Sequence, residues 1–140
     1  FTAHSPDGRT ADAAALTATP SLLMWLDAGS EPTEHLLNEL IARRTRISEL
    51  PLRLVFLPNG PLALQNRTLQ TAVEAFPDAE VWFSPDAAEP AARSAYVDPE
   101  RLPLLLLCDG PCHIVHASAG YRVGSVDTAL DFCRTIAGKA

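Results

Sequence analysis

Apolar residues along this chain gather in short runs that alternate with stretches of helical period, and Pro, Gly, Asp or Asn bounds most of them. The run Leu22-Leu23-Met24-Trp25-Leu26 has the length of a buried strand and stops at Asp27-Ala28-Gly29. Ser30-Glu31-Pro32-Thr33 then opens a helix. Ser30 suits the N-cap, Pro32 is tolerated in a first turn, and Glu31 and Glu34 complement the positive end of the dipole. Leu36, Leu37, Leu40 and Ile41 fall on one face of that helix. A second buried strand is predicted over Leu52 to Leu57, between Pro51 and the turn Pro58-Asn59-Gly60, and a two-turn helical face over Leu69, Ala72, Val73 and Phe76, ended by Pro77-Asp78. Val81-Trp82-Phe83 reads as a short strand or extended segment, and Ala87 to Tyr96 as a short helix interrupted by Pro90. Leu104 to Cys108 is a continuous apolar strand, with Cys112 to Ala117 as its antiparallel mate across Asp109-Gly110-Pro111. Ser125 is expected to cap a last helix that buries Val126, Leu130, Cys133 and Ala137. At the front, Phe1 to Ala3 enters a turn at Ser5-Pro6-Asp7-Gly8, and Arg9 to Leu16 returns. Alternating strands and helices followed by a hairpin and a closing helix predict a layered α/β fold with a mixed sheet.

Length and charge narrow the picture. A chain of 140 residues is one domain and buries roughly 68–70% of its unfolded surface. The formal net charge of −6 and a pI near 5.1 argue against nucleic acid or anionic lipid as a partner. No apolar run is long enough to insert into a membrane. The cluster Arg43-Arg44-Thr45-Arg46 is expected to be the solvated cationic end of a helix. The chain starts at Phe1 with no Met and no signal peptide, so residues 1–140 are expected to be a single domain processed or excised from a longer protein.

The candidate chemistry is sparse. Three cysteines, Cys108, Cys112 and Cys133, have no zinc spacing and are too few for a disulfide framework. Cys108 and Cys112 sit at the two ends of the predicted hairpin. Three readings stay open for them: two ordinary thiols, a structural disulfide, or a redox or metal pair. Cys133 is expected to be a small, unreactive core residue. Asp109, Cys112, His113 and His116 carry metal-ligand chemistry, yet strand residues three apart face opposite sides, which works against shared ligation. No metal or cofactor is expected. Asn66-Arg67-Thr68 has the form of a glycosylation sequon, a triplet common by chance. Trp25 and Trp82 are read as core aromatics.

The segment from Leu22 to Leu40 resembles the active-site segment of thioredoxin-fold proteins, in which an apolar strand runs into W-C-x-P-C at the mouth of an amphipathic helix. Laid over that motif, Ser30 and Thr33 stand where the two cysteines would be, with Glu31 and Pro32 between them. The leading F-x-x-x-x-x-D-G layout resembles the hairpin of the branch that holds the TlpA/ResA-like bacterial thiol-disulfide proteins and the peroxiredoxins. Glu100-Arg101-Leu102-Pro103-Leu104 resembles that branch's apolar residue and cis-proline, and Asp109-Gly110 and Gly120 match its later turns. The resemblance implies a three-layer thioredoxin-like fold, a central mixed sheet flanked by helices with an N-terminal hairpin. It also implies peptide contact through the backbone of Leu102 and Pro103, opposite the loop from Trp25 to Thr33. Thiol-disulfide exchange needs a thiolate at the helix mouth, and none is present. Ser30 is read as a cap, because no general base stands beside it. The expected role is therefore a non-catalytic binding or structural module of a larger extracytoplasmic or secreted bacterial protein, meeting other domains of that polypeptide or an extended peptide. Gly120 to Asp127 also resembles thioredoxin-like domains appended to secreted bacterial transglutaminase-like proteins. The competing expectation is a thiol-disulfide oxidoreductase that uses Cys108 and Cys112.

Overall fold

In the computed structural model, the backbone of residues 1–138 and the side chains of residues 1–135 are described. In chain order the elements are β1 (Thr2–His4), β2 (Thr10–Asp12), α1 (Ala13–Leu16), β3 (Ser21–Leu26), α2 (Glu31–Ala42), α3 (Arg44–Ser48), β4 (Arg53–Pro58), α4 (Arg67–Ala75), β5 (Glu80–Val81), α5 (Ala88–Ser94), β6 (Leu104–Gly110), β7 (His113–Ala119) and α6 (Ser125–Gly138). The main sheet has the order β5-β4-β3-β6-β7; β3, β4 and β5 run parallel, and β6 and β7 run antiparallel to their neighbours. The hairpin β1–β2 forms a separate two-stranded sheet. It joins the edge of the main sheet through reciprocal backbone bonds between His4 and Phe83.

Every residue of β3 is buried, so this strand must be covered on both faces. Leu22, Met24 and Leu26 pack with Leu54, Phe56, Leu105 and Leu107 beneath α2, α4 and α6. Leu23 and Trp25 pack with Val55, Leu57, Leu104 and Leu106 beneath the hairpin, α1 and α5. The period-2 alternation of a strand produces this division. Burying each such side chain contributes roughly 1.5–3 kcal/mol. The helices supply Leu36, Leu37 and Leu40 from α2 and Val126, Leu130 and Cys133 from α6. The expected Ala137 contact lies outside the described side chains.

Several local expectations need correction. Arg9 to Leu16 is not one returning strand: β2 ends at Asp12, whose carboxylate accepts from the Ala15 N–H and starts a helical turn. The predicted segment Val81-Trp82-Phe83 is extended as expected, but the regular strand there is Glu80–Val81, and Phe83 beyond it forms an isolated bridge with His4. Pro90 does not interrupt α5, because it lies in the first turn, where no intrahelical N–H is needed. Asn66 is a helix cap, accepting from the Leu69 N–H at 2.9 Å.

Ser125 does not cap α6. Its hydroxyl bonds both backbone groups of Arg122, and the N-terminus of α6 is served by Glu39, whose carboxylate accepts from the Val126 N–H at 3.1 Å. The same carboxylate accepts from the Tyr121 hydroxyl, a bond that pushes the phenol up to about 12. The arginine cluster closes α2 as a partly solvated cationic end, with Arg44 exposed, but two of its members are paired. Arg43 makes a bidentate pair with Asp127, and Arg46 reaches Asp127 and Asp131. The residues after α2 thus bind the first turns of α6.

On the opposite side, Arg53 donates to both oxygens of Glu80 and to the Ala15 carbonyl, which ties β4, β5 and α1 together. The Arg53 hydrogen bond holds the Glu80 carboxyl below its ordinary value of 4.5. A carboxylate with a depressed folded-state pKa stabilises above its unfolded pKa, and that contribution is lost as pH falls through the folded value. Glu80→Gln is therefore expected to cost about 1 kcal/mol at neutral pH, the worth of a hydrogen bond to a charged group discounted for partial exposure. In urea titrations the gap between variant and wild type should shrink as pH drops below 4.5 and vanish once the folded carboxyl is protonated. A gap of constant size down the acid range would show that the charge is not the source.

Candidate functional site

The C-terminal end of β3 leads into a loop that must reverse direction before α2. Gly29 permits this with φ +94°, a conformation costly for other residues. Ser30 then takes an extended conformation, and its hydroxyl accepts from the Thr33 N–H at 3.4 Å as the N-cap of α2. The Thr33 side chain is fully buried, and its hydroxyl accepts from the Asp27 N–H at 3.2 Å. The two hydroxyls at the helix mouth therefore have structural bonds. Ser30 closes the first turn of the helix, and Thr33 holds the incoming loop against it. Asn59 donates to Asp27 at 3.2 Å. Glu34 accepts from Asn66 and Thr68 at the start of α4, so the acidic first turn of α2 is tied down.

Facing this mouth is the segment that precedes β6. The Leu102–Pro103 peptide bond is cis, and Pro103 is buried while Leu102 is half-buried. Asp27, Ser30 and Pro32 on one side and Arg101, Leu102 and Tyr121 on the other enclose a groove of about 280 Å³. Gly120, at φ +76°, lies behind Arg101. The positive φ is what favours glycine; a Cβ there would crowd the guanidinium at 3.1 Å, which the exposed Arg101 side chain can relieve by shifting. The structure thus brings Ser30 and Pro32 of the helix mouth to the same groove as Leu102. Glu31 stays exposed beside it and pairs with His35 at 3.3 Å. Asp27, Arg101 and Tyr121 complete the groove and carried no local signal, because they come from three separate loops.

Cys108 and Cys112 lie elsewhere. All three cysteines are free thiols, so of the three readings left open for Cys108 and Cys112 the disulfide is not the one formed. Cys108 points into the sheet face beneath the hairpin and α5, whereas Cys112 is exposed in the turn at φ +56°. The Cys112 N–H donates to the buried Thr17 hydroxyl at 2.7 Å. Both thiols line one largely apolar cavity of about 590 Å³, with Phe1, Pro90, Leu106 and Ile114 among its walls. Burial, reinforced by Cys112 and Asp109, pushes the Cys108 thiol up to about 11. Burial likewise pushes Cys133 up to about 11. Neither has the lowered pKa of a nucleophile. His113 pairs with Asp109, while His116 stacks on Phe132 with ring centroids 4.6 Å apart. Among the described residues no group of three or more His, Cys, Asp or Glu is placed to hold a metal ion. Nor is any described helix long and apolar enough to cross a membrane.

The fold is thioredoxin-like. The chain is similar to a thioredoxin-like protein from Porphyromonas gingivalis (14% identity, 97% of this chain and 88% of that one, TM-score 0.65). It is also similar to Arabidopsis thaliana ScoI with copper bound (16% identity, 96% of each chain, TM-score 0.64). A third likeness is to a thio-disulfide isomerase from Thermus thermophilus (14% identity, 95% and 91% coverage, TM-score 0.60). No family model and no curated protein sequence matches.

Two measurements check this site. Thr33→Val keeps the shape but strands the Asp27 N–H, and is expected to lower stability by about 1–2 kcal/mol, the cost of an unmade bond at a partly buried donor. Equal denaturation midpoints for Thr33→Val and wild type would refute the bond's role. Thiol labelling without denaturant should modify Cys112 quickly and leave Cys108 and Cys133 almost untouched, since burial both shields them and disfavours the thiolate. Fast modification of Cys133 would mean that α6 does not pack as described.

Proposed function

We propose that this chain is a redox-inactive thioredoxin-like domain, a binding or structural module that receives an extended peptide or a neighbouring domain at the groove between the mouth of α2 and Leu102. One observation carries the reading: the buried Thr33 hydroxyl, at the position where thiol-disulfide chemistry needs a resolving cysteine, is bonded to the Asp27 amide. A hydroxyl has no sulfur to enter disulfide exchange, and this one instead maintains the loop. The edge of the Leu102 segment offers backbone groups to an extended chain, a mode in which main-chain bonds supply affinity. An extracytoplasmic or secreted bacterial parent, with further domains as neighbours, fits the resemblance to the TlpA/ResA-like branch. A second reading keeps the activity and moves it: Cys108 and Cys112 open on one cavity and would act as a displaced dithiol. The raised Cys108 pKa works against it.

A disulfide-reduction assay separates the two. Wild type is expected to match the uncatalysed rate, and so is Cys108→Ser/Cys112→Ser. Ser30→Cys/Thr33→Cys is expected to gain weak reductase activity, because the amides at the helix mouth lower the pKa of the outer thiol. Glu31 and Glu34 limit that gain by like-charge repulsion. Wild-type turnover that disappears in the Cys108→Ser/Cys112→Ser protein would establish the displaced dithiol and reject the inactive module.

A further inference from the structure

The two edges of the main sheet are built differently. At one edge, β5 has only two residues, one of them Glu80 in its ion pair with Arg53, and the hairpin bonds to Phe83 just beyond it. Short length, charge and cover are the usual protections of an exposed edge. At the other edge lies β7, His113-Ile114-Val115-His116-Ala117-Ser118-Ala119, seven residues with no Asp, Glu, Lys, Arg, Pro or Gly. Its ladder irregularities are confined to the turn end, between Leu107 and Gly110 of β6.

The ladder shows which groups of β7 face outward. Gly120 N–H donates to the Pro103 carbonyl at 3.0 Å, so that pair is a hydrogen-bonded one. In an antiparallel ladder such pairs alternate with non-bonded ones. Leu105↔Ser118 is therefore bonded inward, and Leu106↔Ala117 and Leu104↔Ala119 are the non-bonded pairs. The N–H and C=O groups of Ala117 and Ala119 point out of the sheet, and no described residue bonds them. Between them stands Ser118, whose hydroxyl oxygen is buried and has no hydrogen-bond partner. A buried orphan hydroxyl is costly. It lies on the sheet face that carries α6, where Phe132 stacks on His116 and remains 42% exposed at the flank of the edge.

We propose that β7 pairs with β7 of a second copy of this chain, antiparallel about a two-fold axis through Ser118. In that register Ala117 of each copy exchanges both backbone bonds with Ala119 of the other, which uses all four backbone groups of those two residues. Ser118 then faces its counterpart in a non-hydrogen-bonded pair, where opposed side chains approach most closely and cross-strand serine bonds form. The orphan hydroxyl gains its partner from the same residue of the second copy, across the two-fold axis. A two-fold perpendicular to the sheet keeps both α6 helices on one side, so that the two Phe132 side chains flank the seam.

The test is the mass of the 140-residue chain by light scattering over a concentration series, with three variants. Wild type is expected at twice the chain mass at the high end of the series. Ala117→Pro removes an outward N–H and no internal ladder bond, and should stay at the single-chain mass with an unchanged circular dichroism spectrum. Ala119→Pro repeats that test at the second outward position if Ala117→Pro does not fold. Ser118→Cys in a Cys112→Ser background should give a disulfide-linked dimer under mild oxidation, which reports the register. A wild type that remains single at every concentration overturns the pairing and leaves the edge to a strand of another protein. A dimer that survives both proline variants, or that fails to cross-link through position 118, overturns it as well.

Discussion

The constraint on which the structure depends is the burial of β3 on both faces and along both edges. A strand with no exposed residue requires two partner strands and two covering layers. Its side-chain alternation then assigns Leu22, Met24 and Leu26 to the helices α2, α4 and α6, and Leu23 and Trp25 to the hairpin, α1 and α5. Trp25 also sends its indole N–H to the Ser84 carbonyl, which anchors the segment before α5 to the central strand. Everything at the helix mouth follows from where β3 stops, because the loop after Leu26 must place Ser30 over the open amides of α2.

The same mouth can serve two kinds of chemistry, depending on which atom is placed there. Helix amides and a glycine-permitted turn stabilise either a thiolate or a capping hydroxyl. Here the Ser30 hydroxyl accepts from the Thr33 amide of the helix, the Thr33 hydroxyl accepts from the Asp27 amide of the loop, and together they hold the turn in place. The groove between this mouth and Leu102 remains, with Asp27, Arg101 and Tyr121 around it.

Polar side chains fasten the layers at their margins. Glu39 of α2 caps α6 and holds Tyr121, Arg43 and Arg46 reach across to Asp127 and Asp131, and Arg53 pins β5 and α1. These bonds fix how the outer elements sit, while the apolar layers supply most of the stability. The Asp127 pair is solvent-accessible, so its contribution is mainly positional.

What was legible in the sequence is whatever depends on neighbours along the chain. The apolar runs of β3, β4 and β6, the Ser30 cap, the Pro32 and glutamate signature of α2, and the helical face of Val126, Leu130 and Cys133 all rest on local period and local bonds. The boundaries at Asp12 and Glu80 slipped because short elements carry too few positions to show a period. What only the tertiary structure decided rests on residues distant in sequence. Arg43 and Asp127 are 84 residues apart, and no local pattern shows that one answers the other. Ser125 reads as a cap until a carboxylate from α2 is found at that helix end. The separation of Cys108 from Cys112 depends on the turn between β6 and β7, which buries one thiol and exposes the other. The freedom of the Ala117 and Ala119 backbone groups depends on ladder register and strand order, because alternation in sequence assigns faces and cannot say which strand lies at an edge.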